Sequence, residues 1–337
     1  MKNRGWFLNG KLDLQLKDMP MPEPKEGEVL IKIAANGICG SDIHYYEDGR
    51  VGNHIVTEPY VPGHEASGTI AGVTKGCGNF KEGDRVTMEP GIGCGVCSLC
   101  KSGRYNACAE MHFLSSSPIN GTFCEYVSLP YHLVFKIPDA LTLEDASLAE
   151  PAAVGLQAIR QARMNMFGVT GVIVGVGPIG LMTLQAFKAA GGGKAICVDH
   201  IDKRLDAAKR LGADVVCKPL DPILEGAGDV VFECAGDNDA TKALFGHVKR
   251  GGTVVQVGFP QDVHIPIDTD MLMRKEIFYA GLYRYANCYD AVVTWLGDGR
   301  MRSEGLITHR YSFDECDKAF DFATNNKAIA VKTVVIN

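Results

Sequence analysis

Four cysteines lie close together in the first third of the chain. They are Cys94, Cys97, Cys100 and Cys108. The spacing C-x2-C-x2-C-x7-C allows four thiolates to surround one zinc ion and leaves no open coordination position, which is typical of a structural site. An iron–sulfur cluster is the first alternative, but the ferredoxin pattern has a shorter last spacing and a proline after its last cysteine, where this chain has Ala109. A nucleic-acid-binding zinc module is the second, and it is disfavoured because the segment holds only two basic residues, Lys101 and Arg104.

A second set of residues could hold a catalytic metal ion. Its members are Cys39, His64, Glu65 and Glu150. Each lies in a turn-like or small-residue context, such as Gly63-His64-Glu65 and Ala149-Glu150-Pro151. A thiolate, an imidazole and a carboxylate that leave one position open to water or substrate are what a catalytic zinc site requires. The sequence does not rank the two carboxylates, so both Glu65 and Glu150 remain candidates.

A glycine-rich turn, Gly175-Val176-Gly177-Pro178-Ile179-Gly180, has the pattern G-x-G-x-x-G. The pattern is weak evidence alone, but here it joins a predicted strand, Gly171–Val176, to a predicted helix, Gly180–Ala190. Glycines let the backbone approach a pyrophosphate, and the free amides at the helix start bind its charge. The sequence therefore predicts a dinucleotide site with the following candidate residues: Gly175, Gly177, Pro178, Ile179 and Gly180.

Asp199 ends the next predicted strand, Ala195–Val198, and its position suits a carboxylate that binds the cofactor ribose. Such a carboxylate repels a 2′-phosphate and favours NAD over NADP, although Asp199 could instead cap a helix. Arg204 is a further cofactor candidate, because it could contact a 2′-phosphate or stack on adenine. Val257 and Gly258, at the end of the apolar segment Thr253–Gly258, complete the predicted cofactor site.

The pattern of apolar segments divides the chain into two parts. From Glu28 to Pro138, short apolar runs are broken by Gly, Pro and Asp, which predicts an irregular, strand-rich domain. After Glu144, apolar strands alternate with amphipathic segments, which predicts an α/β domain with a parallel sheet. A terminal helix, Phe313–Ala323, and strand, Val331–Ile336, are expected to pack on the first domain. We expect a catalytic domain of residues 1–149 and 286–337, and a dinucleotide-binding domain of residues 150–285.

Composition limits the classes of function. With 337 residues, 46% hydrophobic and 22% charged, the chain is expected to form more than one globular core. A net charge of −6 disfavours nucleic acid and anionic membranes as partners. The uncharged run Met164–Phe187 is long enough to cross a membrane, but its glycines and proline favour a buried strand, turn and helix. Twelve cysteines, and no signal-like apolar run in Met1–Leu14, favour the cytoplasm.

Several runs occur in an order and spacing that resembles the zinc-dependent medium-chain dehydrogenase superfamily. They are Gly37–Asp42, Gly63–Gly68, Gly83–Val86, Glu150-Pro151 and Gly175–Gly180. Within that superfamily, Cys39–Arg50, Glu150-Pro151 and Tyr283-Arg284-Tyr285 resemble the sorbitol dehydrogenase group of polyol dehydrogenases. The resemblance covers essentially the whole chain. It implies an irregular, β-rich GroES-like catalytic domain and a Rossmann domain with a doubly wound parallel sheet.

The resemblance also implies roles for individual residues. Cys39 and His64 would bind a catalytic zinc together with Glu65, while Glu150 would either replace Glu65 or hold the water on the metal. The cysteine cluster would hold a structural zinc. Ser41 and His44 match positions that relay the substrate proton, although the pair could also be a turn with an exposed histidine. The residues that match the polyol pocket are Tyr45, Arg284 and Tyr285.

The function expected from these features is hydride transfer between a small sugar alcohol and NAD with a catalytic zinc, giving a ketose. The resemblance further implies a homodimer or homotetramer. Zinc-dependent oxidation of another secondary alcohol, such as threonine, or of a simple alcohol is the nearest alternative. An inactive, metal-stapled binding protein is an alternative of another class, and the presence of Ser41 and the full glycine turn beside Cys39, His64 and Glu65 argues against it.

Overall fold

The chain divides into two compact units in a computed structural model that describes residues 2–52, 54–262 and 264–337. Unit 1 comprises Met1–Glu150, Tyr289–Gly297 and Ser303–Asn337, and unit 2 comprises Pro151–Cys288 and Asp298–Arg302. Unit 1 is rich in strands, whereas unit 2 is built on a parallel sheet. The predicted combination of an irregular β-rich part and an α/β part is therefore confirmed.

The strands, in chain order, are β1 Asn3–Gly10, β2 Asp13–Met19, β3 Glu28–Gly37, β4 Arg50–Val51, β5 His54–Ile55, β6 Glu65–Val73, β7 Arg85–Met88, β8 Gly91–Ile92, β9 His112–Phe113, β10 Tyr126–Pro130, β11 Val134–Lys136, β12 Gly171–Val174, β13 Ala195–Val198, β14 Val215–Cys217, β15 Gly228–Glu233, β16 Val248–Gln256, β17 Phe278–Gly281, β18 Ile307–Ser312 and β19 Lys332–Ile336. The helices are α1 Gly40–Asp48, α2 Ser98–Lys101, α3 Leu143–Ala146, α4 Ala149–Gln161, α5 Pro178–Ala189, α6 Asp202–Arg210, α7 Asn238–His247, α8 Thr269–Arg274, α9 Tyr289–Gly297 and α10 Cys316–Asn325.

A mixed sheet with the order β11-β7-β6-β3-β19-β18 forms the framework of unit 1. Its central strand β3 buries Val29, Ile31 and Ile33 at alternate positions, because successive side chains of a strand point to opposite faces. β3 pairs with β6 in antiparallel register, so that Gly37 at the end of β3 lies opposite Glu65 at the start of β6. Cys39 follows the end of β3, and His64 precedes the start of β6. This register therefore brings the two residues to the same end of the sheet.

Unit 2 contains a six-stranded parallel sheet with the order β14-β13-β12-β15-β16-β17. Its strands are apolar on both faces, as the full burial of Val172 and Ile173 on β12 illustrates. From β12, the strands β13 and β14 are added on one side of the sheet. The strands β15, β16 and β17 are added on the other side. This is the doubly wound topology, and its strand order reverses between β12 and β15.

The uncharged run Met164–Phe187 is confirmed as a strand, a glycine turn and a helix. It contains β12, the turn after it and most of α5, and Leu181, Leu184 and Phe187 of that helix are fully buried. Across the described residues, no helix combines the length and the apolar character needed to cross a membrane.

The close approach of β6 to β3 generates a stability prediction. A Cβ atom at Gly68 would collide with the backbone carbonyl oxygen of Lys32, whereas one at Gly72 would make ordinary contact with the side chain of Leu30. We expect Gly68→Ala to lower the free energy of unfolding by about 1–3 kcal/mol, because the strands must separate to admit the methyl group. Gly72→Ala is the matched control on the same strand. Equal unfolding midpoints in urea for the two variants would contradict this account.

Candidate metal centres and nucleotide site

Three predicted metal ligands converge in unit 1. Cys39 is the residue that caps α1, and His64 and Glu65 lie where the chain enters β6. Their ligand atoms all lie within 4.8 Å of one another, with His64 and Glu65 buried and Cys39 partly exposed. A thiolate, an imidazole and a carboxylate at this separation form a donor set that suits zinc. The residues present therefore fit the metal that their types predict.

The buried carboxylate of Asp42 connects the segments that carry this cluster. It accepts hydrogen bonds from the backbone N–H of Cys39 (3.1 Å), the backbone N–H of Gly63 (3.2 Å) and the hydroxyl of Ser115 (2.8 Å). Its Oδ1 lies 3.7 Å from Nδ1 of His64. Burial lowers the pKa of His64, but the charges of Asp42 and Cys39 outweigh burial and leave the pKa raised well above its usual value. Sequence analysis missed Asp42, although it lies within the run around Cys39.

Lys332 is a second residue of the cluster that sequence analysis missed. Its Nζ donates to both carboxylate oxygens of Glu65 (2.7 Å each) and to the carbonyl oxygen of Ile38 (3.1 Å). Lys332 and Glu65 are both buried. Burial lowers the pKa of Lys332, but Glu65 and Cys39 raise it by more, so the amine stays protonated. A lysine at the start of β19, a strand whose last three residues are apolar, was the available signal for a buried ion pair.

Glu150 lies in the first turn of α4 and is buried. Its charge acts on His64, so the second candidate carboxylate lies within electrostatic reach of the cluster. It also acts on Glu89, a buried carboxyl group whose pKa is raised to about 7, mainly by burial. Tyr105 donates its hydroxyl to Glu89 (2.8 Å). Glu89 is therefore bound to the cysteine-rich segment through Tyr105 and lies within electrostatic reach of Glu150.

Helix α1 carries the predicted proton-relay and substrate residues of unit 1. Ser41 and His44 are three residues apart, so they lie on the same side of the helix. Ser41 is partly buried, whereas His44 is exposed and its Nδ1 lies 3.4 Å from Oδ2 of Asp48. Tyr45 is buried and packs edge-on against Tyr60, with ring centroids 5.9 Å apart.

The four cysteines of the predicted structural site form a second cluster. Their sulfur atoms all lie within 4.8 Å of one another, on and around the short helix α2. Within this cluster, Sγ of Cys94 is 3.9 Å from Sγ of Cys100, and Sγ of Cys97 is 3.9 Å from Sγ of Cys108. Backbone N–H groups of Val96 and Cys97 lower the pKa of Cys94 to about 7, whereas burial raises the pKa of Cys100 to about 12. Four converging sulfur atoms fit a closed zinc site.

The glycine turn of unit 2 has the geometry that a pyrophosphate needs. Gly175 has a φ of +84°, and a Cβ there would lie 2.6 Å from Cα of Ala235. Gly177 caps α5 with no side-chain hydrogen bond, Pro178 is its first residue and Ile179 follows. Gly180 packs on the carbonyl of Gly175 so closely that a side chain would collide with it. The first N–H groups of α5, on Ile179 and Gly180, therefore point toward this glycine turn.

Asp199 is buried directly after β13, and its carboxylate accepts hydrogen bonds from the backbone of two segments. Its carboxylate accepts from the N–H of Val176 (2.9 Å) and the N–H of Ile201 (2.9 Å). The residue that caps α6 is Ile201, not Asp199. The guanidinium of Arg204 lies 3.7 Å from Asp199 and close to Gly177. Asp199 and Arg204 thus lie together beside the glycine turn.

The remaining predicted residues of unit 2 follow β16 and β17. Val257 and Gly258 come directly after β16, and their N–H groups donate to the carbonyl oxygen of Glu233 (2.8 and 2.9 Å). The guanidinium of Arg284 stacks over the ring of Tyr283 at 4.8 Å, and Arg284 has a φ of 54°. Tyr285 is buried.

Two family models match the chain. The alcohol dehydrogenase GroES-like domain matches residues 25–139 in unit 1, and the zinc-binding dehydrogenase domain matches residues 178–298. The first contains every residue of the two metal-ligand clusters, and the second begins at the first residue of α5.

Similar proteins match over nearly the full chain. A sorbitol dehydrogenase from Bacillus subtilis (strain 168) is 39% identical, with 97% of this chain and 95% of the relative covered. An L-idonate 5-dehydrogenase from Vitis vinifera is 36% identical, with coverage of 100% and 95%. Among solved structures, one from Sinorhizobium meliloti 1021, described as a zinc-binding dehydrogenase bound to NADP, is 28% identical, with a TM-score of 0.91 and full coverage of both chains.

The closed cysteine cluster generates a prediction about stability. We expect Cys97→Ser to lower the zinc content from two ions to one per chain, since the two ligand groups are separate. The melting temperature should fall, because the binding energy of a structural zinc is folding energy. Metal analysis and thermal unfolding measure the two effects. Cys77→Ser is the control, because Cys77 lies outside both clusters and donates to the carbonyl of Glu28, as a serine also can. Wild-type protein that folds with one zinc would contradict the structural site.

Proposed function

The chain belongs to the zinc-dependent medium-chain dehydrogenase family, and from this premise we propose that it oxidises a sugar alcohol to a ketose by transferring hydride to NAD. It is a polyol dehydrogenase that uses zinc and NAD(P), and its substrate is a small molecule. One observation carries the proposal most directly: the ligand atoms of Cys39, His64 and Glu65 converge in a chain whose similarity to a sorbitol dehydrogenase extends over 97% of its length.

In the proposed reaction, Cys39, His64 and a carboxylate would hold the catalytic zinc. When bound, zinc is a Lewis acid that lowers the pKa of the substrate hydroxyl. Ser41 accepts the hydroxyl proton and passes it toward His44, whose exposed ring releases it to solvent. The partial burial of Ser41 and the exposure of His44 on one side of α1 support this direction of transfer.

The contact of Lys332 with Glu65 supports different roles for the two carboxylates, Glu65 and Glu150. Its ammonium group offsets the negative charge of Glu65, so Cys39 is the remaining anion among the three converging residues. The residues would therefore hold a zinc ion without cancelling the positive charge that it supplies. We propose that Glu65 completes the donor set while Lys332 limits its charge, and that Glu150 accepts a hydrogen bond from the group in the open position.

The proposed cofactor site lies on unit 2, which serves as the dinucleotide-binding domain, with unit 1 as the catalytic domain. The pyrophosphate binds the backbone N–H groups of Gly177, Ile179 and Gly180 at the start of α5, where Pro178 has no N–H to offer. Asp199 uses its remaining lone pairs for the ribose hydroxyls and repels a 2′-phosphate, which favours NAD over NADP. Arg204 packs on the adenine side of the turn.

Arg284, Tyr285 and Tyr45 are the proposed substrate-binding residues. Polyols carry several hydroxyls, so binding them takes polar groups beyond the metal, which a guanidinium and phenols supply. We further propose a homodimer or homotetramer, which sedimentation equilibrium measures. The twelve cysteines, five of which are proposed zinc ligands, support a reducing compartment, the cytoplasm.

A substrate panel tests the proposed function. Absorbance of the reduced cofactor is recorded after sorbitol, xylitol, L-idonate, threonine or ethanol is added to zinc-loaded protein with NAD or with NADP. We expect a polyol to give the highest kcat/KM. A preference for threonine or ethanol would reject the polyol substrate and keep the dehydrogenase. If no compound leads to reduction of NAD or NADP, the result would favour an inactive binding protein that is stabilised by bound metal.

Arg284 provides a sharper prediction. We expect Arg284→Ala to lower kcat/KM for the preferred polyol by about ten-fold or more and to leave propan-2-ol nearly unchanged, because the lost hydrogen bonds reach hydroxyls that the simple alcohol lacks. The ratio of the two kcat/KM values is the measurement. Arg210→Ala, an exposed residue at the end of α6, is the control. An unchanged ratio in Arg284→Ala would reject its role in polyol binding.

Cofactor choice gives a separate prediction. We expect Asp199→Ala to weaken NAD and to raise the relative kcat/KM for NADP, because the variant loses both the ribose acceptor and the charge that repels a 2′-phosphate. The same carboxylate holds Val176 and Ile201, so NADP should improve only relative to NAD. A wild-type preference for NADP would contradict the role assigned to Asp199.

A further inference from the structure

Glu233, the last residue of β15, is a fully buried carboxyl group of unit 2 with no role in the proposed reaction. One oxygen accepts from the backbone N–H groups of Ala235 (2.9 Å) and Gly236 (3.0 Å). The other accepts from Nε2 of Gln256 (2.8 Å). Three N–H donors thus converge on one buried acceptor.

Three loops meet around this carboxylate. A Cβ at Gly258, after β16, would lie 2.7 Å from Oε2 of Glu233. A Cβ at Gly236, after β15, would lie 2.6 Å from the carbonyl oxygen of Phe259. Ala235 in turn packs against Gly175, the first glycine of the turn after β12. The spacing leaves no room for side chains at these glycines, so the loops fit together in one arrangement.

The position of Glu233 in the sheet indicates which ligand these loops contact. The strand order reverses between β12 and β15, and dinucleotides bind across the crevice at such a reversal, at the carboxyl ends of the strands. The turn after β12 receives the pyrophosphate, and Asp199 at the end of β13 marks the adenosine side. The nicotinamide half therefore extends to the other side, over the ends of β15 and β16.

We propose that Glu233 is a positioning residue for the nicotinamide half of the cofactor. Its carboxylate holds the loops after β15 and β16 in the arrangement on which the nicotinamide rests. This inference depends on the use of NAD(P) by the chain but not on the identity of the alcohol.

The chemistry of the contacts explains why a carboxylate suits this position. An ionised carboxyl group accepts on both oxygens, whereas glutamine would direct its own N–H₂ toward one of the three donors. Burial raises the pKa of Glu233 to about 7, although the N–H groups of Gly236 and Ala235 lower it. Gln256 is held in turn, because it donates to the carbonyl of Gly258 (2.9 Å) and accepts from the hydroxyl of Tyr279 (3.1 Å).

The test separates the two halves of the cofactor. Glu233→Gln is prepared as the full, zinc-loaded chain, and its dissociation constants for NADH and for AMP are measured by titration calorimetry. We expect NADH to bind about ten-fold more weakly, as for a lost hydrogen bond to a charged group, while AMP binds as to wild type. Equal weakening of NADH and AMP would indicate general loss of structure and overturn the proposal, and so would unchanged binding of both.

A second variant covers the case in which Glu233→Gln does not fold. Gln256→Leu removes the side-chain donor to the carboxylate and leaves Glu233 in place, and we expect the same selective loss of NADH affinity. AMP and NADH affinities that fall together, or that both stay at wild-type values, would overturn the proposal in this variant too. Glu225→Gln, an exposed carboxyl group of unit 2, is the control. Wild-type protein that binds neither NADH nor NADPH would overturn the proposed function as well. If wild-type protein binds NADH and the variants show no selective loss of NADH affinity, only the role of Glu233 is overturned.

Discussion

The arrangement of the metal centre depends on the burial of Asp42, a carboxylate with no solvent exposure. A charge in that position is tolerated only when donors surround it, and Asp42 obtains them from the N–H of Cys39, the N–H of Gly63 and the hydroxyl of Ser115. Satisfying one carboxylate therefore ties the start of α1 to the segment that carries His64. The hydrogen bonds of Asp42 thus help to hold the ligands of the candidate zinc site together.

Unit 2 uses the same constraint at the ends of its parallel strands. Asp199 binds the N–H groups of Val176 and Ile201, and Glu233 binds those of Ala235 and Gly236. In both places a buried carboxylate at the end of a strand holds the loops that a cofactor would contact. Loops held in this way have less conformational freedom to lose when a cofactor binds, which lowers the entropy cost of binding.

Charge balance around Glu65 connects structure to the proposed chemistry. Removing both Glu65 and Lys332 from water is costly, and their close pairing offsets that cost only because both carboxylate oxygens are bound. The pair keeps a carboxylate near Cys39 and His64 without adding net negative charge. A zinc ion held by these residues would therefore keep the positive charge with which it acts on an alcohol.

The sequence alone determined the features that local spacing encodes. The cysteine pattern from Cys94 to Cys108 predicted a cluster that the structure brings together, and the turn from Gly175 to Gly180 predicted the strand-to-helix connection, because glycine and proline restrict or free the backbone at their own positions. The periodicity of apolar residues predicted the two classes of domain. Only the tertiary structure decided which distant groups share a buried charge. Lys332 and Glu65 are 267 residues apart, and they meet because β19 and β6 flank β3 in a definite register, which a pattern along the chain does not contain.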